Sequence, residues 1–126
     1  MIVIDTQVLV WMHLAPEKLS RPAEKAINVA ETMVIPSISL WEISMLVHYG
    51  RMVLPCTPLE WFSNIYGLDT IHLQDITPQI AVISGSTKMH GDPADRLVVA
   101  TAKAMDLPLV TADHKIRDLG LVTTIW

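Results

Sequence analysis

Four acidic residues stand far apart in this chain, at Asp5, Glu42, Asp95 and Asp113. Carboxylates that are brought together repel one another and raise each other's pKa. Packing several into a crevice is costly unless a cation offsets the charge. Cys56 is the only cysteine, which excludes an internal disulfide and a cysteine-based zinc site. The five histidines show no His-x-x-x-His or similar spacing. An oxygen-only ligand set favours a hard ion such as Mg²⁺ or Mn²⁺. One or two such ions can activate water and stabilise the charge that develops when a phosphodiester is hydrolysed.

The elements that must position these acids follow from the apolar pattern. Ile2 to Ile4 is a short β-branched run of the kind found in a buried strand. Asp5-Thr6 then opens a segment with Val8, Leu9, Met12 and Leu14 near helical spacing, stopped by Pro16. Ser20 before Arg21-Pro22 is a good N-cap, and a helix is expected to about Glu31. Met33 to Ile35 is a second strand, followed by a helix from about Ile38 to Tyr49 that Gly50 stops. Thr57-Pro58 starts a helix to about Tyr66, and Thr70 to Leu73 forms a short strand. Thr77-Pro78 caps a helix to about Ser84, and Asp92-Pro93 starts one through about Met105. Leu109 to Thr111 and Val122 to Ile125 complete the strands.

Short apolar strands alternating with helices predict an α/β fold: a three-layer α/β/α sandwich with a mostly parallel sheet. The 126 residues fit a single domain over 1–126. In such a sheet, ligands bind beyond the carboxyl ends of the strands. Asp5 follows the first strand, and Glu42 lies about one turn into the helix that leaves the second. Asp95 is in the first turn of a helix that runs back before the strand at Leu109, and Asp113 follows that strand. Strand and helix direction therefore bring all four acids to one edge.

Each acid also has a purely structural reading. Asp5 could be only an N-cap. Ser39-Leu40-Trp41-Glu42 matches a capping box, in which Glu42 reaches back to a backbone N–H. Asp92 before Pro93 is a good N-cap, and Asp95 would then sit where the helix dipole favours it. Asp113 could cap a helix to Leu119 and pair with Arg117. Lys88 and Arg96 could hold phosphates or belong to a solvated face. His90 could touch a substrate phosphate. The four tryptophans read mainly as core or interface, with stacking on a base as the alternative.

Four segments in order carry a family resemblance. They are Met1-Ile2-Val3-Ile4-Asp5-Thr6, Pro36-Ser37-Ile38-Ser39-Leu40-Trp41-Glu42-Ile43, the run from His90-Gly91-Asp92-Pro93-Ala94-Asp95-Arg96 to Ala102, and Leu107-Pro108-Leu109-Val110-Thr111-Ala112-Asp113. Together they resemble the motif set of PIN-domain proteins, closest to the VapC-like toxins of toxin–antitoxin pairs. The resemblance implies a PIN-like fold and Mg²⁺- or Mn²⁺-dependent endoribonuclease activity. It implies that Asp5, Glu42, Asp95 and Asp113 are metal ligands or catalytic residues, with Asp92 a less certain ligand. Thr6 and Thr111 match small hydroxyl positions that support the acids. It further implies an RNA substrate, a homodimer and a cognate antitoxin that covers the site. Ala94 and Gln7 depart from the pattern, at positions often aromatic and often His or Asn; neither removes a ligand.

The net charge of −4 argues mildly against broad nucleic-acid affinity, though cations bound to the acids would reduce it. Apolar residues make up 51% of the chain, enough for a core. No apolar run approaches a bilayer span, so a cytoplasmic protein with no membrane partner is expected. A nuclease acting on other nucleic acid and a non-catalytic binding module are the alternatives.

Overall fold

The computed structural model describes residues 1–126. Its elements in chain order are β1 (Ile2–Ile4), α1 (Thr6–Leu14), α2 (Arg21–Val29), β2 (Met33–Pro36), α3 (Ile38–His48), α4 (Pro58–Tyr66), β3 (Ile71–Gln74), α5 (Pro78–Ser86), α6 (Pro93–Met105), β4 (Leu109–Val110), α7 (His114–Leu119) and β5 (Thr124–Ile125). A short 3₁₀ turn at Pro16–Lys18 joins α1 to α2. The strands form one sheet in the order β3-β2-β1-β4-β5, with every neighbouring pair parallel.

The sheet is covered on both faces, which is why its inner strands carry apolar residues without polar alternation. Successive side chains point to opposite faces. Ile2 and Ile4 of β1 and Met33 and Ile35 of β2 join the cluster that includes Val8, Leu9, Ile43 and Trp61 from α1, α3 and α4. Val3, Val34 and Leu109 point the other way, against Val98, Val99 and Ala102 of α6 and Ile116 of α7. Val3 and Val34 are completely buried, and such burial stabilises by roughly 1.5–3 kcal/mol per side chain.

The punctuation follows known caps. Thr57 and Glu60 form a reciprocal capping box at the start of α4. Ser20 and Thr77 cap α2 and α5. Gly50, just past α3, takes a φ of 69°, a left-handed conformation open to glycine without a side-chain clash. After α6 the same region is occupied by Asp106, with φ 53°. Boundaries differ from the sequence expectation mainly at the sheet edge: β4 and β5 are two residues each, shorter than the apolar runs around them. Backbone bonds continue past their ends, from Thr111 N–H to Ile125 O at 3.3 Å. No helix is long and apolar enough to cross a membrane.

The strand order has a consequence for binding. From β1 the chain winds outward through β2 to β3, then returns to the other side of β1 for β4 and β5. The crevice at such a reversal, between the carboxyl ends of β1 and β4, is where open α/β sheets hold ligands.

Candidate metal centre

Asp5 follows β1 at this reversal. It is the N-cap of α1, in extended conformation, and its Oδ1 accepts from the Thr6 N–H at 2.7 Å. Its Oδ2 accepts from the Thr111 hydroxyl at 2.6 Å. The capping reading and the site reading therefore describe the same side chain. Asp5 is 7% exposed. Burial pushes its pKa up to about 6, against the pull of the Thr111 and Thr6 hydrogen bonds; the Glu42 and Asp113 charges push it further up.

Thr111 follows β4 and is fully buried. Its hydroxyl donates to Asp5 and accepts the Asp113 N–H at 3.1 Å. One oxygen thus ties the first acid to the backbone of the last. Asp113 caps α7, its Oδ1 accepting from the Lys115 N–H at 2.8 Å. The expected pairing of Asp113 with Arg117 does not form. Arg117 instead reaches the Ala112 carbonyl at 3.5 Å, since the cap holds Asp113 toward the helix start.

Glu42 lies in the second turn of α3. The capping box suggested by Ser39 and Glu42 is absent, because α3 starts earlier, with Ser37 as N-cap and no side-chain cap bond. Ser39 instead lies completely buried inside the helix and shares a 2.8 Å hydrogen bond with the Thr6 hydroxyl. That bond locks the start of α1 to α3. The sequence offers Ser39 only as a helix cap; its role as a buried partner of Thr6 has no local signal beyond the rule that a buried hydroxyl must find a partner. Desolvation raises the Glu42 pKa, the Thr6 hydroxyl lowers it, and Asp95 and Asp92 raise it again.

Asp92 is the exposed N-cap of α6, accepting from the Asp95 N–H at 3.0 Å. Asp95 is half-buried, and its pKa is pushed up to about 6, first by desolvation, then by Asp92, Asp5 and Asp113. His90 opposes this, with Nε2 3.4 Å from Asp95 Oδ2, the one ion-pair geometry in the molecule. Arg96 is committed elsewhere. Its two terminal nitrogens donate to the carbonyls of Ser84, Gly85, Thr87, Met89 and His90, over 2.7–3.4 Å. It stitches the loop between α5 and α6 to α6, and these nitrogens are not free for a phosphate. Lys88 in that loop is exposed.

Asp5, Glu42, Asp95 and Asp113 line one cavity of about 340 Å³, together with Gln7, Trp11 and Ala112. Ligand oxygens of Glu42, Asp92 and Asp95 also lie within 4.8 Å of one another. Glu42 and Asp95 belong to both groupings and so form the middle of the cluster, with Asp5 and Asp113 on one side and Asp92 on the other. No lysine or arginine pairs with these acids. The donor set is all carboxylate, the chemistry that suits a hard divalent ion. The raised pKa values mark the repulsion and desolvation that such an ion would offset. A second cavity of about 490 Å³ opens at the opposite edge of the sheet, before β4 and β5, between Lys103, Asp106, Leu107, Leu121 and Val122.

A sequence profile of the PIN domain matches residues 2–121. The chain is 31% identical to Ribonuclease VapC22 of Mycobacterium tuberculosis (strain ATCC 25618 / H37Rv), over 92% of this chain and 89% of that protein. Its fold is similar to that of a toxin–antitoxin complex from Klebsiella pneumoniae, with TM-score 0.66, 20% identity, and 98% and 97% of the two chains covered. It is likewise similar to VapBC2 from Rickettsia felis bound to a DNA fragment from their promoter, with TM-score 0.69, 18% identity and the same shares covered.

Proposed function

Since the chain belongs to the PIN-domain family, we propose that it is an endoribonuclease, dependent on Mg²⁺ or Mn²⁺, and the toxin of a toxin–antitoxin pair. The observation that carries this is the meeting of Asp5, Glu42, Asp95 and Asp113 in one cavity at the reversal of strand order. The similarity to a ribonuclease of the same length range supports the reaction. The toxin–antitoxin complexes of the same fold support the partner.

Glu42 and Asp95 would hold the cation centrally, with Asp5 and Asp113 beside them and Asp92 at the rim. A divalent ion there supplies the positive charge that activates water and offsets charge developing on the phosphate oxygens. The protein's own part is orientation. Thr111 fixes the Asp5 carboxylate and the Asp113 backbone; the Thr6–Ser39 bond fixes the helix that carries Glu42. Hydrogen-bonded support of this kind commonly matters 10–100-fold for ligation or activity. Hydrolysis would leave a 5′-phosphate and a 3′-hydroxyl. The acids face the phosphodiester that is cut, and RNA must approach them across a surface of net negative charge, so the cation serves binding as well as chemistry.

We further place the protein in the cytoplasm as a homodimer, with an antitoxin covering the acidic cavity. The test is incubation of purified protein with total RNA and Mg²⁺ or Mn²⁺, with and without chelator, followed by mapping of the ends. Cleavage that needs the ion and is lost in Asp5→Asn is the expected result; cutting that persists in chelator or in Asp5→Asn overturns it.

A further inference from the structure

The cavity has one wall that the acids do not explain. Gln7 and Trp11 line it together with the carboxylates. They lie four residues apart on α1 and so share one face of that helix. Trp11 is half-buried, which leaves part of its ring open. The ring packs against Trp126, with centroids 5.7 Å apart and planes tilted by 44°. Lys18 extends over it, its Nζ 5.9 Å from the ring centroid. Trp41 is more exposed, but it does not line the acidic cavity, so exposure alone does not single out Trp11.

These groups supply what a single-stranded nucleotide needs beside a reacting phosphate. An aromatic ring stacks on a base, an amide can hydrogen-bond its edge, and a mobile ammonium can move to the next phosphate. Such stacking needs no metal and is tolerant of sequence. We propose that the Gln7–Trp11 face of α1, with Lys18, is a nucleotide subsite that holds an unpaired base next to the acidic cavity. This rests on the RNA reading of that cavity, and it names the single-stranded form of the substrate and the residues that position it.

The test separates the two readings by measuring binding rather than cleavage. Asp5→Asn protein in Mg²⁺ is titrated with a fluorescent single-stranded RNA hexamer and with a hexamer of abasic ribose phosphates carrying the same charge. The normal hexamer should bind about tenfold more tightly than the abasic one. Adding Trp11→Leu should weaken the normal hexamer about tenfold and leave the abasic one unchanged, while Trp11→Phe keeps most of the preference. If Trp11→Leu fails to fold, the base-against-abasic contrast and the Trp11→Phe protein still decide. Equal affinity for the two hexamers, or equal loss on both with Trp11→Leu, overturns the subsite. Base-dependent binding that needs Trp11, in a protein whose wild type cuts no RNA, upholds the subsite and refutes the nuclease.

Discussion

Two hollows open at opposite edges of one sheet, and the larger is the less charged. The cavity before β4 and β5 has about 490 Å³ and a mixed lining, with Ala102, Leu107, Leu121 and Val122 beside Thr123, one acid, Asp106, and one base, Lys103. The cavity after β1 and β4 has about 340 Å³ and is lined by four acids with no lysine or arginine among them. The size of a hollow can follow from packing alone. Unbalanced charge has no such packing origin, because burying acids costs folding energy. The contrast teaches that uncompensated electrostatics, more than volume, marks the edge of a fold that was kept for chemistry.

The sharpest way to break this comparison is Asp5→Asn. We expect cleavage of RNA in Mg²⁺ to fall about a thousandfold, equivalent to about 4 kcal/mol of barrier. The same change should stabilise the metal-free protein at pH 8 by about 1–2 kcal/mol, since it removes a buried charge while an amide can still meet Thr111. Urea melts of the two proteins in chelator check the second half; an unstable Asp5→Asn protein would show that the carboxylate serves the fold.

Thr111→Val comes next. It keeps the shape of the side chain but strips Asp5 Oδ2 and the Asp113 N–H of their shared partner. A fall in cleavage of about 10–100-fold is expected, accompanied by weaker Mn²⁺ affinity in calorimetry. Unchanged Mn²⁺ affinity would show that the hydroxyl does not orient the acids.

A pH series compares the edges without mutation. Asp5 and Asp95 are both pushed up to about 6 in the fold, above the ordinary 3.8. A folded-state pKa above the unfolded value means that the native protein holds the proton longer. This contribution to stability is therefore fully present below about pH 4, declines as pH rises through about 6, and is absent above. For Asp5 alone the change is on the order of 3 kcal/mol. Saturating Mg²⁺ should flatten the decline, because the ion takes the place of the proton. A metal-free protein whose stability rises steadily from pH 4 to 7 would contradict the raised values.

The smallest effect is expected at the other edge. Asp106→Gly should leave cleavage within about twofold. It should also hold or raise stability by up to about 1 kcal/mol, because glycine adopts the left-handed conformation at less cost. A large loss of activity would mean that the two edges are coupled.

Much of the acidic edge was legible because direction is written in the chain. A strand ending at Ile4 and another ending near Thr111 must deliver Asp5 and Asp113 to the same side. Asp92-Pro93 fixes where α6 begins, and hence where Asp95 lies. What the chain did not disclose depends on pairing across distance. Ser39 and Thr6 are 33 residues apart, and nothing local marks one as the partner of the other. Arg96 could hold a phosphate or belong to a solvated face on its neighbours alone, yet five carbonyls, two at the end of α5 and three in the loop after it, claim its terminal nitrogens. The reading of Ser39 and Glu42 as a capping box failed because α3 begins earlier, with Ser37 as N-cap, so Ser39 lies inside the helix and meets Thr6 instead.

The Thr111 hydroxyl reaches Asp5 only because β4 sits in one setting against β1, with Val3 beside Leu109 and Ile4 beside Val110. A slip of one residue would turn the hydroxyl to the opposite face. A two-residue strand has little grip to resist such a slip. Single-residue deletions in the turn at 106–108 should therefore be far more damaging to activity than most substitutions there, although that turn lies at the far end of the molecule from the acids. The spelling of the turn can drift, but its length acts as a ruler.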